Sequence, residues 1–166
     1  MATQTPRLNM PYIISSQSQK EVTHNLALNG LDALIQPAVE TSLLSIAPAL
    51  PGEGGLWLVA GGATGVWAGH DNELAQYIGG AWQFYPAFEG LQLWLKDENI
   101  VTQYRAGLWQ KGILTALKIE VSGQQIIGAQ QAAISDAAGG TVIDAEARTA
   151  LNSLLAACRA HGLIAP

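Results

Sequence analysis

Four Gly-x-Trp tripeptides punctuate the middle of the chain: Gly55-Leu56-Trp57, Gly65-Val66-Trp67, Gly80-Ala81-Trp82 and Gly107-Leu108-Trp109. Glycine supplies the positive φ of a tight turn, and the tryptophan beside it is placed to open or close a strand. Between the tripeptides lie short alternating or aromatic segments: 57–60, Gln83-Phe84-Tyr85, Leu91-Gln92-Leu93-Trp94-Leu95 and 100–104. Lys96-Asp97-Glu98-Asn99 is a polar turn, so 91–104 reads as a hairpin. Strands this short at this spacing predict a small Trp-rich antiparallel sandwich or barrel. The repeat is too irregular for a propeller or a solenoid.

Both flanks read differently. Pro6 and Pro11 keep the first segment out of helix, giving an extended arm. From Gln17 to Gln36 the pattern turns helical, with Val22, Leu26, Leu28, Leu31, Leu34 and Ile35 as an apolar face and Ser18/Glu21 at capping-box spacing. Beyond the β region, 117–121 and 125–129 flank a Ser122-Gly123 turn. Asp144 to His161 is then the clearest helix, with Asp144 at its N-cap, Glu146 in its first turn, Arg159 and His161 in its last, and Gly162 beyond. The expected fold is mainly β with terminal helices. Its segments are 1–51 (arm and helix), 52–121 (Trp-rich β domain) and 122–166 (a β-turn segment and an oligomerisation helix).

The final helix carries a seam. Ala147, Leu151, Leu154, Cys158 and His161 are spaced four, three, four, three, the step that aligns residues along a helix–helix contact. An isolated helix of this length is marginal in water, so it packs on its own domain or on copies of itself. Its place behind Gly139-Gly140 at the C-terminal end, and its narrow seam, favour copies. The seam is too short to separate a homotrimer from a pentamer.

Only 13% of the residues are charged although 49% are hydrophobic, which implies that part of the surface is covered in the working state. The net charge of −5 and the lack of any Lys/Arg run argue against nucleic acid. No apolar stretch reaches the length of a membrane span, and the first residues lack the pattern of a signal peptide, so synthesis in the cytoplasm is expected. A single cysteine, Cys158, excludes an intrachain disulfide and a thiolate metal cluster.

His24, His70 and His161 fall in three regions without metal-ligand spacing. Phosphate-loop, dinucleotide, nucleophile-elbow and zinc-protease signatures are absent. A glycan hydrolase would need paired carboxylates in a cleft, and Asp71, Glu73, Asp97 and Glu98 all read as turn residues. No catalytic residue, metal or cofactor is therefore expected. His70-Asp71-Asn72-Glu73 is the one polar cluster near the aromatic region and reads most simply as a turn. The aromatic residues invite a carbohydrate-binding reading against the plainer role of core filling. Trp82 and Tyr85 have opposite parity on one strand, so one exposed ring is expected there. Trp82, Tyr85, His70 and Asp71 are the candidate glycan contacts.

The segments 5–13, 17–25 and 31–34, with Gly62-Ala63-Thr64-Gly65-Val66-Trp67-Ala68-Gly69-His70 and Gly80-Ala81-Trp82-Gln83-Phe84, resemble an uncharacterised domain family. That family occurs in prophages, tailed phages and gene transfer agents. The tail from Ile127 onward is similar to the C-termini of phage fibre and spike proteins, and that resemblance implies a trimerising helical end. Together they imply a virion structural protein, a short tail fibre, head spike or spike base, assembled on a tail or capsid. Residues 5–36 would dock to other virion proteins, and a host surface polysaccharide is a further expected partner. A carbohydrate-binding module and a capsid decoration protein are the alternatives.

Overall fold

The computed structural model describes residues 3–13, 20–141 and 144–166. The chain forms two compact units, Met1–Ile113 and Leu114–Pro166. This division differs from the three-segment expectation: arm, first helix and Trp-rich region share one unit, and the hairpin cut at 121 belongs whole to the second.

In the first unit, helix α1 (Lys20–Leu34) leads into β1 (Ala38–Val39), β2 (Leu56–Leu58), β3 (Leu74–Ile78) and β4 (Ala81–Tyr85). Strands β5 (Gln92–Leu95), β6 (Ile100–Arg105) and β7 (Leu108–Lys111) follow. They build a three-stranded antiparallel sheet, β2-β3-β4, and a four-stranded sheet, β1-β5-β6-β7. The second sheet is mixed, because β1 runs parallel to β5 with Ala38 opposite Trp94. One residue later the chain changes partner: the Glu40 amide donates to the Leu56 carbonyl (2.8 Å) and the Leu58 amide to the Thr41 carbonyl (3.1 Å). Residues 38–41 thus join the two sheets without closing a barrel.

The expected hairpin over 91–104 is present as β5–β6, with Asn99 at φ +54° in its turn. The tripeptides need two corrections, the first being that Gly55 has no positive φ and the neighbouring Gly54 (φ +76°) takes that conformation. Trp57, Trp82 and Trp109 lie on strands, but Gly65-Val66-Trp67 forms a 3-10 turn whose tryptophan is fully buried. It lies outside the ladders, so its ring is placed by packing against Trp57 of β2 and Trp82 of β4.

Two apolar clusters lie on opposite faces of β2-β3-β4. Val39, Leu56, Leu74, Leu93 and Leu95 fill the space between the sheets, with Ala33 of α1 against them. Each such side chain contributes roughly 1.5–3 kcal/mol by leaving water. On the other face, Trp57, Val59, Trp67 and Ala75 form a second cluster.

Helix α1 departs from its expected apolar face. Asp32 and Ala33 are buried, whereas Val22, Leu26, Leu31 and Ile35 are about half exposed. The physical reason lies in the arm. Residues 3–13 fold back on themselves, with Gln4 bridged to Pro11, and do not run simply extended. The Asp32 carboxylate accepts the backbone amides of Arg7 (3.1 Å) and Leu8 (2.6 Å). In return the Arg7 guanidinium donates to the carbonyls of Asp32, Ile35 (3.2 Å) and Gln36 (2.9 Å). These are carbonyls that the end of a helix leaves without intrahelical partners, and a cation there also opposes the helix dipole. Ser18 of the expected capping box lies outside the described residues.

The second unit holds β8 (Ile119–Val121), β9 (Gln124–Ile127) and α2 (Ala145–Ala160). Ser122 (φ +50°) and Gly123 (φ +77°) form the tight turn between the strands, which needs positive φ at both central positions. Helix α2 begins and ends where its capping residues said. Asp144 accepts the Ala147 amide (2.8 Å), and Gly162 follows the last turn at φ +70°.

Candidate functional site

The cluster His70-Asp71-Asn72-Glu73 is a loop-closing device. The Asp71 carboxylate accepts the amides of Ala63 (2.8 Å) and Gly62 (3.0 Å), pinning the loop that carries Trp67. Those two amides hold its carboxyl below the usual aspartate range. His70 Nδ1 lies 2.7 Å from Glu73 Oε2, and the imidazole stacks flat on Phe84 with ring centroids 3.5 Å apart. Trp109 Nε1 donates to the Asn72 carbonyl (3.0 Å), tying the same loop to β7. The Asp71 and Glu73 carboxylates are thus engaged within the loop, and the Asn72 carbonyl ties it to β7.

The parity argument for Trp82 and Tyr85 gives the right geometry and the wrong consequence. They do face opposite sides of β4, but both sides are covered. Trp82 packs edge-on against Trp57 (5.4 Å), Trp67 (5.1 Å) and Tyr77 (5.2 Å) in the outer cluster. Tyr85 packs against the cluster between the sheets and donates to Gln76 Oε1 (2.9 Å). Burial there pushes its phenol up to about 12, with Asp32 adding to the effect. Neither ring is left free. The four candidate glycan contacts therefore belong to two separate packing environments and not to one open cleft.

The seam of α2 has a different character. At about 100° per residue, Ala147, Leu151, Leu154, Cys158 and His161 fall within about 40° of one line. Leu151 is 46% and Leu154 61% exposed, Ala147 and His161 are exposed, and Cys158 is half-buried. About 110° around the helix runs a second stripe, Arg148, Asn152, Leu155 and Arg159, and this one holds the unit together. Asn152 Oδ1 accepts the Ala137 amide (2.9 Å), Arg148 donates to the Gly139 carbonyl, and Arg159 pairs with Asp136 (2.8 Å) and donates to the Ile134 carbonyl. Leu155 is the one buried side chain of α2. The sequence reading missed this polar stripe, although its four-three-four spacing matches that of the seam beside it.

The polar stripe fastens α2 to residues 134–139 of its own chain, and most of the unit's large apolar side chains face outward. Leu155 and Ile164 are its buried hydrophobic residues, while Leu117 (98% exposed), Val121, Ile126, Leu151 and Leu154 face out. A unit of this size has little margin even with a complete core.

Among the described residues no group of three or more His, Cys, Asp or Glu side chains could hold a metal ion. No helix among them is long and apolar enough to cross a membrane. The features together define a mainly β protein with a helix at each end and a Trp/Tyr cluster. The chain belongs to the family described as protein of unknown function, DUF2793, whose model matches residues 24–110, just over half of the sequence. The match runs from α1 to β7, leaving the arm and the second unit outside it. No curated protein matches the chain.

Proposed function

We propose that this chain is a non-catalytic structural protein of a tailed phage or gene transfer agent, a short tail fibre, head spike or spike base, that works as a homo-oligomer joined through α2. The observation that carries the reading is the exposed apolar seam of α2. A helix that spends its polar stripe on its own chain and turns Leu151 and Leu154 outward gains burial from a second copy. The low share of charged residues supports a covered surface, and the resemblance to virion proteins supplies the setting. Attachment to other virion proteins is assigned to residues 5–36, where Val22, Leu26 and Leu31 of α1 and Ile35 just beyond it are about half exposed.

Light scattering behind a sizing column tests the oligomer. The full chain should elute at three times its 17.5 kDa mass. Leu151→Asp with Leu154→Asp should bring it to the mass of one chain by placing charges in the interface. A wild-type protein of single-chain mass would overturn the self-association. Particle docking is read separately: Val22→Glu with Leu26→Glu should remove the protein from purified particles without changing its mass.

A further inference from the structure

The outer face of β1-β5-β6-β7, opposite the core, carries an arrangement that packing does not explain. Gln92 stands directly across from Gln103, and Gln103 directly across from Gln110, so three glutamines cross three adjacent strands in one row. Neighbouring side chains in such a row start about 4.5–5.5 Å apart. None of the three side-chain amides makes a hydrogen bond among the described residues. One pleat along, roughly 6.6 Å away, Trp94 stands across from Val101 on the same face and is 40% exposed.

We propose that this face is a carbohydrate-binding platform, with Trp94 stacking on a sugar ring and Gln92, Gln103 and Gln110 bonding the hydroxyls of a polysaccharide. Each primary amide offers two donors and an acceptor on one planar group, the match for neighbouring hydroxyls that donate and accept in turn. A flat indole supplies the apolar surface that the C–H face of a pyranose needs. A protein partner fits less well: covering three unbonded amides without pairing them costs about 1–3 kcal/mol for each orphaned group. A polyhydroxylated chain satisfies them while it covers the ring. The inference deepens the fibre or spike reading proposed above, adding contact with a surface polysaccharide, and depends on that reading only for where the glycan comes from.

The full-length protein is applied to a printed array of bacterial surface polysaccharides, neutral and uronic-acid-bearing. Binding to at least one class is expected. Trp94→Ala should lower the bound signal at least tenfold, and Gln103→Ala, which removes the central amide, by a comparable factor. Oligomer mass and thermal midpoint should stay unchanged in both. Leu151→Asp with Leu154→Asp should keep the Trp94 dependence but weaken apparent affinity, by about 10²-fold for a trimer that engages several sites at once. No binding to any polysaccharide, or binding that survives Trp94→Ala, overturns the platform and leaves self-association standing. A wild-type protein of single-chain mass that still binds through Trp94 overturns the oligomer and leaves the platform standing.

Discussion

Pro6 sits on the backbone of Gly54 so closely that a Cβ at residue 54 would lie 2.3 Å from the Pro6 Cβ. Gly54 also holds φ +76°, in the left-handed region that favours glycine, while its amide donates to the Tyr77 carbonyl (2.7 Å). The contact fastens the arm to the β region next to the point where Arg7 caps α1. Gly54→Ala is expected to cost about 2–3 kcal/mol, of which roughly 1 kcal/mol is backbone strain and the rest displacement of Pro6. Adding Pro6→Gly should recover the displacement part. Urea midpoints of the two single variants and the double variant measure this, and strictly additive losses would refute the contact.

Trp82→Ala should destabilise the first unit by about 3 kcal/mol, because it removes the ring on which Trp57, Trp67 and Tyr77 converge. The near-ultraviolet circular dichroism of the cluster should fall with it. A loss under about 1 kcal/mol would mean that the ring stands outside the core and is the one exposed ring that strand parity allowed at Trp82 or Tyr85.

Tyr85 sets an alkaline limit. Its phenol is raised from 10.0 to about 12 by burial, so the folded state favours the neutral form. That preference contributes fully below the unfolded pKa near 10 and is lost as pH rises through about 12. Stability should therefore decline between these two values, by about 1–2 kcal/mol once solvent at the half-buried ring is allowed for. Tyr85→Phe should flatten the decline in denaturant midpoint. An unchanged decline would assign it to other groups.

Asp71 sets an acid limit of a local kind. Its carboxyl is depressed by the amides of Ala63 and Gly62, so the stabilisation is present above its unfolded pKa of 3.8. It is lost as pH falls through the lower folded value. Amide hydrogen exchange at Gly62 and Ala63 should accelerate in Asp71→Ala at neutral pH. In the wild type the same acceleration should appear on acidification, after the intrinsic pH dependence of exchange is removed. Equal protection in both proteins would show that the loop closes without the carboxylate.

Local chemistry was the legible part of this fold. Asp144 and Gly162 marked the ends of α2, and Ser122-Gly123 and Lys96-Asp97-Glu98-Asn99 marked two hairpin turns. Each signal lies within a few residues of what it specifies. Features set by distant partners were hidden. Alternation along β4 separated Trp82 from Tyr85, but it carries no record of whether a sheet is covered on one face or two. The apolar pattern of α1 pointed away from Asp32, the residue that anchors the arm by hydrogen bonds across 24 and 25 positions. The glutamine row follows the same rule: Gln92 and Trp94 share a face in any strand, but only the pairing of β5, β6 and β7 aligns Gln103 and Gln110 beside them.

Strand β1 runs parallel to β5, and two antiparallel steps later β7 runs parallel to both. The first and last strands of that sheet therefore present their chain ends at opposite poles. Tension pulling on the chain before Ala38 and after Lys111 is directed along the strand axes, so the ladders between them are loaded together in shear and do not peel open bond by bond. Because residues 38–41 also hold β2, part of that load passes into the second sheet. A force applied to the first unit through α1 and through the chain beyond Ile113 would therefore meet ladders loaded in shear.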